Sequence, residues 1–426
     1  MNNYRQYIRS GRNLVGVLII FAVLLLSVVA SCIETDKIDD SYKRTVLVYI
    51  SADNNLSNIA QSNIYSMNNS IRNENDNANL LVFVDRVDNP PALLFLHNAQ
   101  IDTLIKYPEL DSSDPKVLHD VIDYVVDNYK SDSYGLVLWS HGTGWLPTAQ
   151  LHFVGPNMKY VQGRDDQYAY RTAVDGVRDP FSPDMVADTK AFGWENRAGQ
   201  KPAYTCMDLD GVVSAIPDNV FDYIAFDACY MGCVELIYAL RHKADYIISS
   251  CYEIVSYGFP YHIVTRYLLN GNLMNLCVEF HNYYNTMSGW ERMGGISLVK
   301  TDGLDSLANC FGKIVTEYRD SIQSINVNSV QRFDRFQNHV FYDLEDFVDK
   351  LGVRKNLLTE FRLQLEECVP YKVSTPYIFQ GDPEQIQVNT YCGMSVYIPL
   401  EKYEESGLNS DYRMTEWSTV SGYGYK

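Results

Sequence analysis

Short, continuous runs of apolar residues recur along this chain and are separated by longer amphipathic segments. The runs cover residues 45–50, 79–85, 135–139, 223–226 and 245–250. Because their apolar residues do not alternate with polar ones, they predict strands that are buried on both faces, as in a parallel sheet. Residues 92–97 and 101–107 predict a hairpin at the edge of that sheet.

The segments between the runs have the periodicity of helices. The clearest follows Asp114, the expected N-cap, with Pro115 in the first turn. One face of this helix is apolar and consists of Val117, Leu118, Val121, Ile122, Val125 and Val126. Further helices are predicted up to residue 72, at 207–216, at 230–240, twice within 262–287, and at 302–322. Strands that alternate with helices predict an α/β fold with a mostly parallel sheet.

Two of the apolar runs end in residues that can carry chemistry. Cys229 lies between the run 223–226 and the predicted helix 230–240, so we expect its thiol at a helix N-terminus, where the dipole favours thiolate. His141 follows the run 135–139. In an open parallel sheet the loops after the strand C-termini share one edge, so the two residues would face each other as a dyad if their strands are neighbours. The alternative is a core cysteine and an unrelated loop histidine.

The sequence around this pair resembles the clostripain family of cysteine peptidases, which are relatives of the caspases and gingipains. The shared motifs are His141-Gly142, Asp227-Ala228-Cys229-Tyr230-Met231-Gly232, the first strand and turn at residues 45–54, and the late strand at residues 392–399. The resemblance extends over about residues 45–420.

The resemblance implies a caspase-like, three-layer α/β/α fold with a mostly parallel central sheet. The catalytic domain would occupy residues 45–300, and a C-terminal extension at residues 301–426 would complete it. The implied activity is that of a cysteine endopeptidase acting on protein or peptide substrates. Cys229 would attack the carbonyl carbon, His141 would transfer the protons, and the backbone N–H groups of Gly142 and Cys229 would form the oxyanion hole.

The resemblance also implies a pocket for the substrate residue before the cleaved bond, P1. In the family, the acid at the position of Asp227 pairs with an Arg or Lys at P1. The alternative is that Asp227 caps the helix after Cys229. In the pocket loop at residues 250–261, usually acidic positions are occupied by Cys251 and Tyr252, and Glu253 follows one place later. Asp227 and Glu253 are therefore the candidate substrate-binding residues, for cleavage after Arg or Lys.

Residues 142–203 form the least regular part of the sequence. Long irregular loops are often functional, and in clostripain-like enzymes self-cleavage after a basic residue occurs in this loop. The basic residues here are Lys159, Arg164, Arg171, Arg178, Lys190, Arg197 and Lys201. Their density is that of ordinary composition, so they are compatible with self-processing but select no cleavage site.

The first 31 residues resemble a lipoprotein signal peptide. Arg5, Arg9 and Arg12 precede an apolar run at residues 14–30, and small residues lead to Cys32, the expected site of lipid attachment. Residues 32–44 are an acidic tether, either a solvated linker or an export signal like those of some Gram-negative lipoproteins. These features predict a lipid-anchored protein of the bacterial cell envelope, on the periplasmic or exposed side of the outer membrane. A retained anchor helix is the alternative.

The chain is acidic, with a formal net charge of −18, and loss of the three leader arginines would make it −21. This balance argues against nucleic acid and anionic membrane surfaces as partners. It permits a basic substrate.

The cysteines after Cys32 are scattered through apolar segments, unlike the dense pattern of a disulfide framework. They are Cys206, Cys229, Cys233, Cys251, Cys277, Cys310, Cys368 and Cys392. No His or second Cys pair stands at zinc-ligand spacing, so no metal site is predicted. Some relatives of the family depend on calcium, which makes calcium a candidate cofactor, although no EF-hand spacing is present.

A different function on the same fold is also open, namely a non-catalytic surface lipoprotein that binds protein or glycan. The 33 tyrosines would suit such a surface. The presence of His141, Cys229 and their adjoining glycines favours the peptidase. A serine hydrolase is disfavoured because the G-x-S-x-G motif is absent from the sequence.

Overall fold

The structure, a computed structural model, describes residues 44–71, 77–87, 89–147, 150, 192–196 and 204–424. The predicted signal peptide, Cys32, nearly all of the tether and most of the loop 142–203 lie outside these residues. Among the helices that the structure describes, none has the length and apolar character needed to cross a membrane.

Fifteen strands are found in the described ranges. In chain order they are β1 (Arg44–Ala52), β2 (Ala78–Arg86), β3 (Asn89–His97), β4 (Gln100–Lys106), β5 (Ser133–Trp139), β6 (Phe192–Asn196), β7 (Tyr204–Met207), β8 (Phe221–Asp227), β9 (Ala244–Ser249), β10 (Ile296–Lys300), β11 (Tyr342–Asp343), β12 (Tyr371–Val373), β13 (Tyr377–Ile378), β14 (Ile386–Gln387) and β15 (Ser395–Val396).

Nine of these strands form the central sheet, in the order β12-β10-β9-β8-β5-β1-β2-β3-β4. The five strands from β9 to β2 are parallel to one another, while β3, β4, β10 and β12 pair antiparallel at the two edges. This confirms the predicted mostly parallel sheet with a hairpin at its edge. All nine residues of β1 are buried, which explains why its apolar residues do not alternate with polar ones.

Twelve α-helices surround the sheet in the described residues. They are α1 (Ser57–Ser70), α2 (Pro115–Asn128), α3 (Leu209–Ala215), α4 (Val234–Ala239), α5 (Tyr261–Asn270), α6 (Leu273–Asn285), α7 (Leu304–Glu317), α8 (Arg319–Ser324), α9 (Leu344–Lys350), α10 (Lys355–Cys368), α11 (Leu408–Arg413) and α12 (Glu416–Ser421). Short 3₁₀ turns lie at Gly289–Glu291, Val327–Ser329 and Glu401–Tyr403. The single helix expected at 302–322 is thus two helices, α7 and α8.

Helix α2 begins as its sequence predicts. The Asp114 carboxylate accepts a hydrogen bond from the Lys116 N–H at 2.8 Å, and Pro115 occupies the first helical position. Its apolar face is buried and contributes Leu118, Val121, Ile122 and Val125 to the core. Together, the cap, the proline and the buried apolar face determine where this helix begins.

The helix expected directly after Cys229 begins later than predicted. Residues 228–233 form turns, and α4 starts at Val234. The reason is a tertiary contact, since the Gly232 N–H donates to the Ser250 carbonyl at 2.7 Å instead of entering a helix. Cys229 is therefore not at a helix N-terminus, and that expectation was wrong.

The C-terminal part of the chain contacts the same region. Strand β12 extends the central sheet beside β10, and α12 packs against α4 and α7. The Ser395 N–H of β15 donates to the Gly232 carbonyl at 2.8 Å. The turn that carries Cys229 is thus held from two sides, by the strand end at Ser250 and by β15.

Candidate active site

Strands β5 and β8 bring the two candidate catalytic residues to one edge of the sheet. They are adjacent and parallel, with Trp139 opposite Asp227, and the Ser140 N–H donates to the Asp227 carbonyl at 3.4 Å. His141 and Cys229 each follow this last pair of the register by two residues. Both residues are partly exposed, and both lie just beyond the C-terminal ends of neighbouring parallel strands.

The thiol of Cys229 rests against the loop after β9. The Ile254 N–H donates to Sγ at 3.4 Å, and Sγ lies 3.8 Å from the Ile254 carbonyl oxygen. Desolvation by the packed loop, followed by the nearby Glu253 carboxylate, raises the pKa of the Cys229 thiol to about 12. The expected thiolate stabilisation by a helix dipole is therefore wrong, and the Cys229 thiol is neutral near pH 7.

The imidazole of His141 is also neutral at rest. Burial lowers the pKa of His141 to about 4, because the surroundings disfavour the charged ring. Its Nε2 atom lies 2.7 Å from the Oδ1 atom of Asn55. A neutral imidazole can accept the proton of a thiol during attack, which is general base catalysis.

Asn55 is a site residue that the sequence did not reveal. It precedes His141 by 86 positions and lies in the turn between β1 and α1. The signal that could have identified it is the end of the first strand, because β1 is the neighbour of β5 and shares its C-terminal edge.

Gly142 lets the histidine loop approach the cysteine backbone. A Cβ atom at Gly142 would lie 2.6 Å from the Cys229 carbonyl oxygen, so no larger residue fits without a backbone shift. The bridge to Phe192 uses the Gly193 N–H, which donates to the His141 carbonyl at 3.3 Å. The N–H of Gly142 takes no part in that hydrogen bond. The two candidate oxyanion-hole residues, Gly142 and Cys229, are thus in direct backbone proximity.

Asp227 lies beneath the pocket loop and is only 4% exposed. Its Oδ2 atom accepts hydrogen bonds from the Phe259 N–H at 2.8 Å and the Tyr261 hydroxyl at 3.0 Å. The alternative role as a cap on the helix after Cys229 was wrong, because these partners lie over 30 residues downstream. Burial raises the pKa of Asp227 to about 7. Gly258, at φ +70°, lets the loop close over this carboxylate.

Glu253 is held in an ion pair. Arg335 contacts both carboxylate oxygens, at 3.0 and 2.9 Å, and its guanidinium lies 4.4 Å from the centre of the Phe379 ring. The Tyr230 hydroxyl also donates to Glu253 at 2.9 Å, while the Tyr230 backbone has a left-handed φ of 61°. Glu253 therefore fixes the residue that follows Cys229. Sequence reasoning missed Arg335, which no local pattern connects to this loop.

The described residues offer no donor set for a metal. They include no group of three or more His, Cys, Asp or Glu side chains arranged to hold an ion. Eight cysteines of the described part are free thiols, and seven of them are buried while Cys229 is partly exposed. For calcium, the candidate cofactor from the sequence, the described part of the chain thus provides no cluster of three Asp or Glu side chains.

Comparisons with known proteins show which family and which solved structures this chain resembles. The model of the clostripain family matches residues 48–167 and 178–374. Clostripain of Hathewaya histolytica is 24% identical over 335 residues, which are 71% of this chain and 53% of clostripain. The chain thus spans about half the length of that relative.

Similar solved structures include an inactive zymogen of a C11 protease from Parabacteroides distasonis. It is 29% identical, with a TM-score of 0.69 over 89% of this chain and 99% of that one. Iotapain, a secreted C11 cysteine protease from Bacteroides thetaiotaomicron, is 23% identical with a TM-score of 0.70 over the same shares. A structure titled as a secreted C11 cysteine protease from that organism with an irreversible peptide inhibitor is 24% identical, with a TM-score of 0.67 and the same coverage. The last two show a shared fold.

Proposed function

The chain belongs to the clostripain family of cysteine peptidases, and from this we propose that it is an endopeptidase with Cys229 as nucleophile and His141 as proton acceptor and donor. The observation that chiefly supports this is the parallel pairing of β5 with β8, in which Trp139 and Asp227, two residues before His141 and Cys229, lie opposite each other. The partial exposure of both side chains adds access for a substrate.

The proposed reaction starts from the neutral pair. His141 accepts the thiol proton as the Cys229 sulfur attacks the carbonyl carbon, and the N–H groups of Gly142 and Cys229 bind the oxyanion that forms. The intermediate collapses to a thioester when His141 donates its proton to the leaving amine. His141 then removes a proton from water, which attacks the thioester. The acid product leaves as the proton returns to the Cys229 sulfur.

For the substrate, we propose Arg or Lys at P1, with Asp227 as the charged contact. Both hydrogen bonds that Asp227 accepts from the pocket loop go to Oδ2, so Oδ1 is the atom offered to a cation. Glu253 is paired with Arg335 and adds no second free carboxylate. A single carboxylate gives a weaker preference for basic residues than a pair would.

Because the pKa of Asp227 is about 7, its preference for a P1 cation should depend on pH. A cation binds the ionised carboxylate, whose fraction rises about tenfold between pH 6 and pH 8. We therefore expect the ratio of kcat/KM for P1 Arg over P1 citrulline to rise about tenfold across this range. Matched peptides that differ only at P1, cut by residues 33–426, provide the measurement.

The control for this experiment is Asp227→Asn, which keeps an acceptor for Phe259 and Tyr261 but has no titrating carboxyl. Its Arg-to-citrulline ratio should be low and constant with pH. If wild type prefers Arg with a ratio that does not change from pH 6 to 8, the pairing with Asp227 is wrong. If folded wild type cuts neither of the two peptides nor a peptide library, the result favours the non-catalytic binding function over the peptidase function.

We also propose self-processing in the loop 142–203, most of which lies outside the described residues. Its support is the family membership, and the basic residues along the loop are compatible with it. The precursor would be cut after one of these residues by the same Cys229 chemistry.

For location, we propose a lipid anchor on Cys32 in the outer membrane, supported by the arginines and apolar run that precede it. Cells grown with labelled palmitate should incorporate it into the wild-type protein and into Cys229→Ala. Cys32→Ser should lose the label and move to the soluble envelope fraction. Equal labelling and fractionation of Cys32→Ser and wild type would contradict the anchor.

A further inference from the structure

Arg335, Glu253 and Tyr230 form a continuous chain of hydrogen bonds beside Cys229. The Arg335 guanidinium donates to both oxygens of Glu253, from Nε to Oε1 at 3.0 Å and from Nη2 to Oε2 at 2.9 Å. The Tyr230 hydroxyl donates to the same Oε1 atom at 2.9 Å. The Arg335 and Glu253 side chains are only 19% and 17% exposed, so water competes little for these bonds.

Glu253 is linked to Cys229 in two ways. In the loop after β9 it precedes Ile254, whose N–H donates to the Cys229 sulfur at 3.4 Å. Through its carboxylate it binds the hydroxyl of Tyr230, which follows Cys229 in the chain. A displacement of Glu253 would therefore disturb the Cys229 turn, residues 228–233, both from within and at its contact with the loop.

The Tyr230 backbone needs such support because it is strained. Its φ of 61° lies in the left-handed region, which is unfavourable for a residue with a bulky side chain. The ring stacks on Phe341 with centroids 4.7 Å apart, and the Tyr230 N–H donates to the Tyr252 carbonyl at 3.2 Å. Together with the hydroxyl bond to Glu253, these contacts hold a conformation that persists only where its surroundings stabilise it.

Arg335 approaches Glu253 from an ordered segment of the C-terminal extension. The preceding residue, Asp334, is fully buried, and its carboxylate accepts hydrogen bonds from the N–H groups of Phe336 at 3.0 Å and Phe341 at 2.8 Å. The guanidinium itself lies 4.4 Å from the centre of the Phe379 ring. These contacts fix the arginine independently of Glu253, so the ion pair can hold the carboxylate in place.

Arg335 also offsets the charge of Glu253. Desolvation is the main cause of the raised pKa of the Cys229 thiol, the Glu253 carboxylate raises this pKa further, and the Arg335 charge lowers it. Loss of the Arg335 charge would therefore leave a less acidic thiol, whereas loss of the Glu253 charge would leave a more acidic one.

We propose that Arg335 is a positioning residue for the Cys229 turn, which it holds through the Glu253 carboxylate and the Tyr230 hydroxyl. This inference rests on the proposed peptidase function. An arginine suits the role because its planar guanidinium binds both carboxylate oxygens at once, which a lysine ammonium does not. In this way the C-terminal extension supplies a residue on which the geometry of the active site depends.

The kinetic test uses residues 33–426 and a P1 Arg peptide. Arg335→Met should lower kcat about 10- to 100-fold, the range for lost hydrogen bonds to a charged group, and Arg335→Lys should lower it less because it keeps the charge. In a chain that already carries Glu253→Gln, Arg335→Met should add little, since the ion pair is already lost. The matched control is Arg354→Met, which removes a bidentate pair with Glu317 before α10 and should keep the kcat of wild type.

Alkylation of Cys229 by iodoacetamide gives a readout that needs no turnover, because the thiolate is the reactive form. Near pH 8.5, Arg335→Met should react about 3- to 10-fold more slowly than wild type, which corresponds to a thiol pKa higher by about half a unit to one unit. Glu253→Gln should react faster than wild type. Peptide mapping by mass spectrometry identifies the alkylated cysteine. A turn that had merely loosened would expose the sulfur and speed up alkylation in both variants.

If wild type cuts no peptide but the two variants change the alkylation rate in these opposite directions, the peptidase function fails and the role of Arg335 stands. Faster alkylation of Arg335→Met, wild-type kcat in the folded variant, or an undiminished loss of kcat on top of Glu253→Gln would overturn that role.

If Arg335→Met does not fold, Arg335→Lys decides the question. A folded lysine variant with lowered kcat and nearly unchanged alkylation would support the need for a bidentate contact. A folded lysine variant with the kcat of wild type would overturn it.

Discussion

Replacement of Cys229 by alanine is expected to remove all peptidase activity and all self-cleavage. Without the sulfur no thioester forms, and loss of a nucleophile lowers kcat by on the order of a millionfold. Purified residues 33–426 should yield fragments cut after a basic residue of the loop 142–203, while Cys229→Ala stays intact. Intact-mass spectrometry measures both outcomes and identifies the bond.

His141→Ala should have the same result as Cys229→Ala, because the pKa of the thiol, about 12, leaves almost no thiolate at neutral pH without a base. The double variant should be no worse than either single variant, since the two residues act as one unit. A matched control is Cys277→Ala in α6, a buried cysteine outside the site. This variant should be less stable but should cleave normally.

Several outcomes would contradict the dyad. Fragments of equal mass from wild type and Cys229→Ala would indicate a contaminating protease. A wild-type chain that is folded, stays intact and cuts no peptide would favour a binding protein. If His141→Ala retained wild-type kcat, the cysteine would need another base, and the pairing of strands β5 and β8 would carry no catalytic meaning.

Gly142→Ala is expected to lower kcat about 100- to 1000-fold, the loss seen when one oxyanion-hole donor is removed. The added Cβ would stand 2.6 Å from the Cys229 carbonyl oxygen and 2.9 Å from the Met231 sulfur. The backbone oxygen cannot rotate away as a side chain could. The histidine loop must therefore move, which displaces the Gly142 N–H from the oxyanion. Steady-state kinetics with a P1 Arg peptide gives the change.

Gly352→Ala provides the control for this variant. Its φ of +69° makes alanine unfavourable there, but a Cβ meets no atom within 4 Å. Thermal unfolding should show a modest loss of stability, and kcat should equal that of wild type. If Gly142→Ala lost no more stability than Gly352→Ala and also kept the kcat of wild type, the close approach to Cys229 would not matter for the oxyanion hole.

Much of the fold was predictable because its central strands are buried on both faces. Such strands need uninterrupted apolar residues, as in β1, β5 and β8, and the sequence displays them directly. Helix α2 was predictable for a similar local reason, since its cap and first-turn proline are adjacent in sequence. That His141 and Cys229 lie at one edge of the sheet followed from parallel strand topology, but the adjacency of β5 and β8 came from the structure.

The errors and omissions share a different cause. The turn after Cys229 looked helical from its apolar spacing, but the Gly232 N–H finds its acceptor on Ser250. Asn55 lies 86 residues from His141 in the sequence, and Arg335 lies 82 residues from Glu253. Hydrogen bonds of this kind depend on distance in space, and no periodicity records them.

The sequence by itself thus determined the strands, the mostly parallel sheet, and the two candidate catalytic residues at its C-terminal edge. These depend on burial and on chain order, both of which are written in the residue pattern. Only the tertiary structure decided the protonation of the site, where packing makes the thiol and the imidazole neutral and raises the pKa of Asp227 to about 7. It also decided which residues orient the site, because desolvation and long-range hydrogen bonds exist only after the loops have packed together.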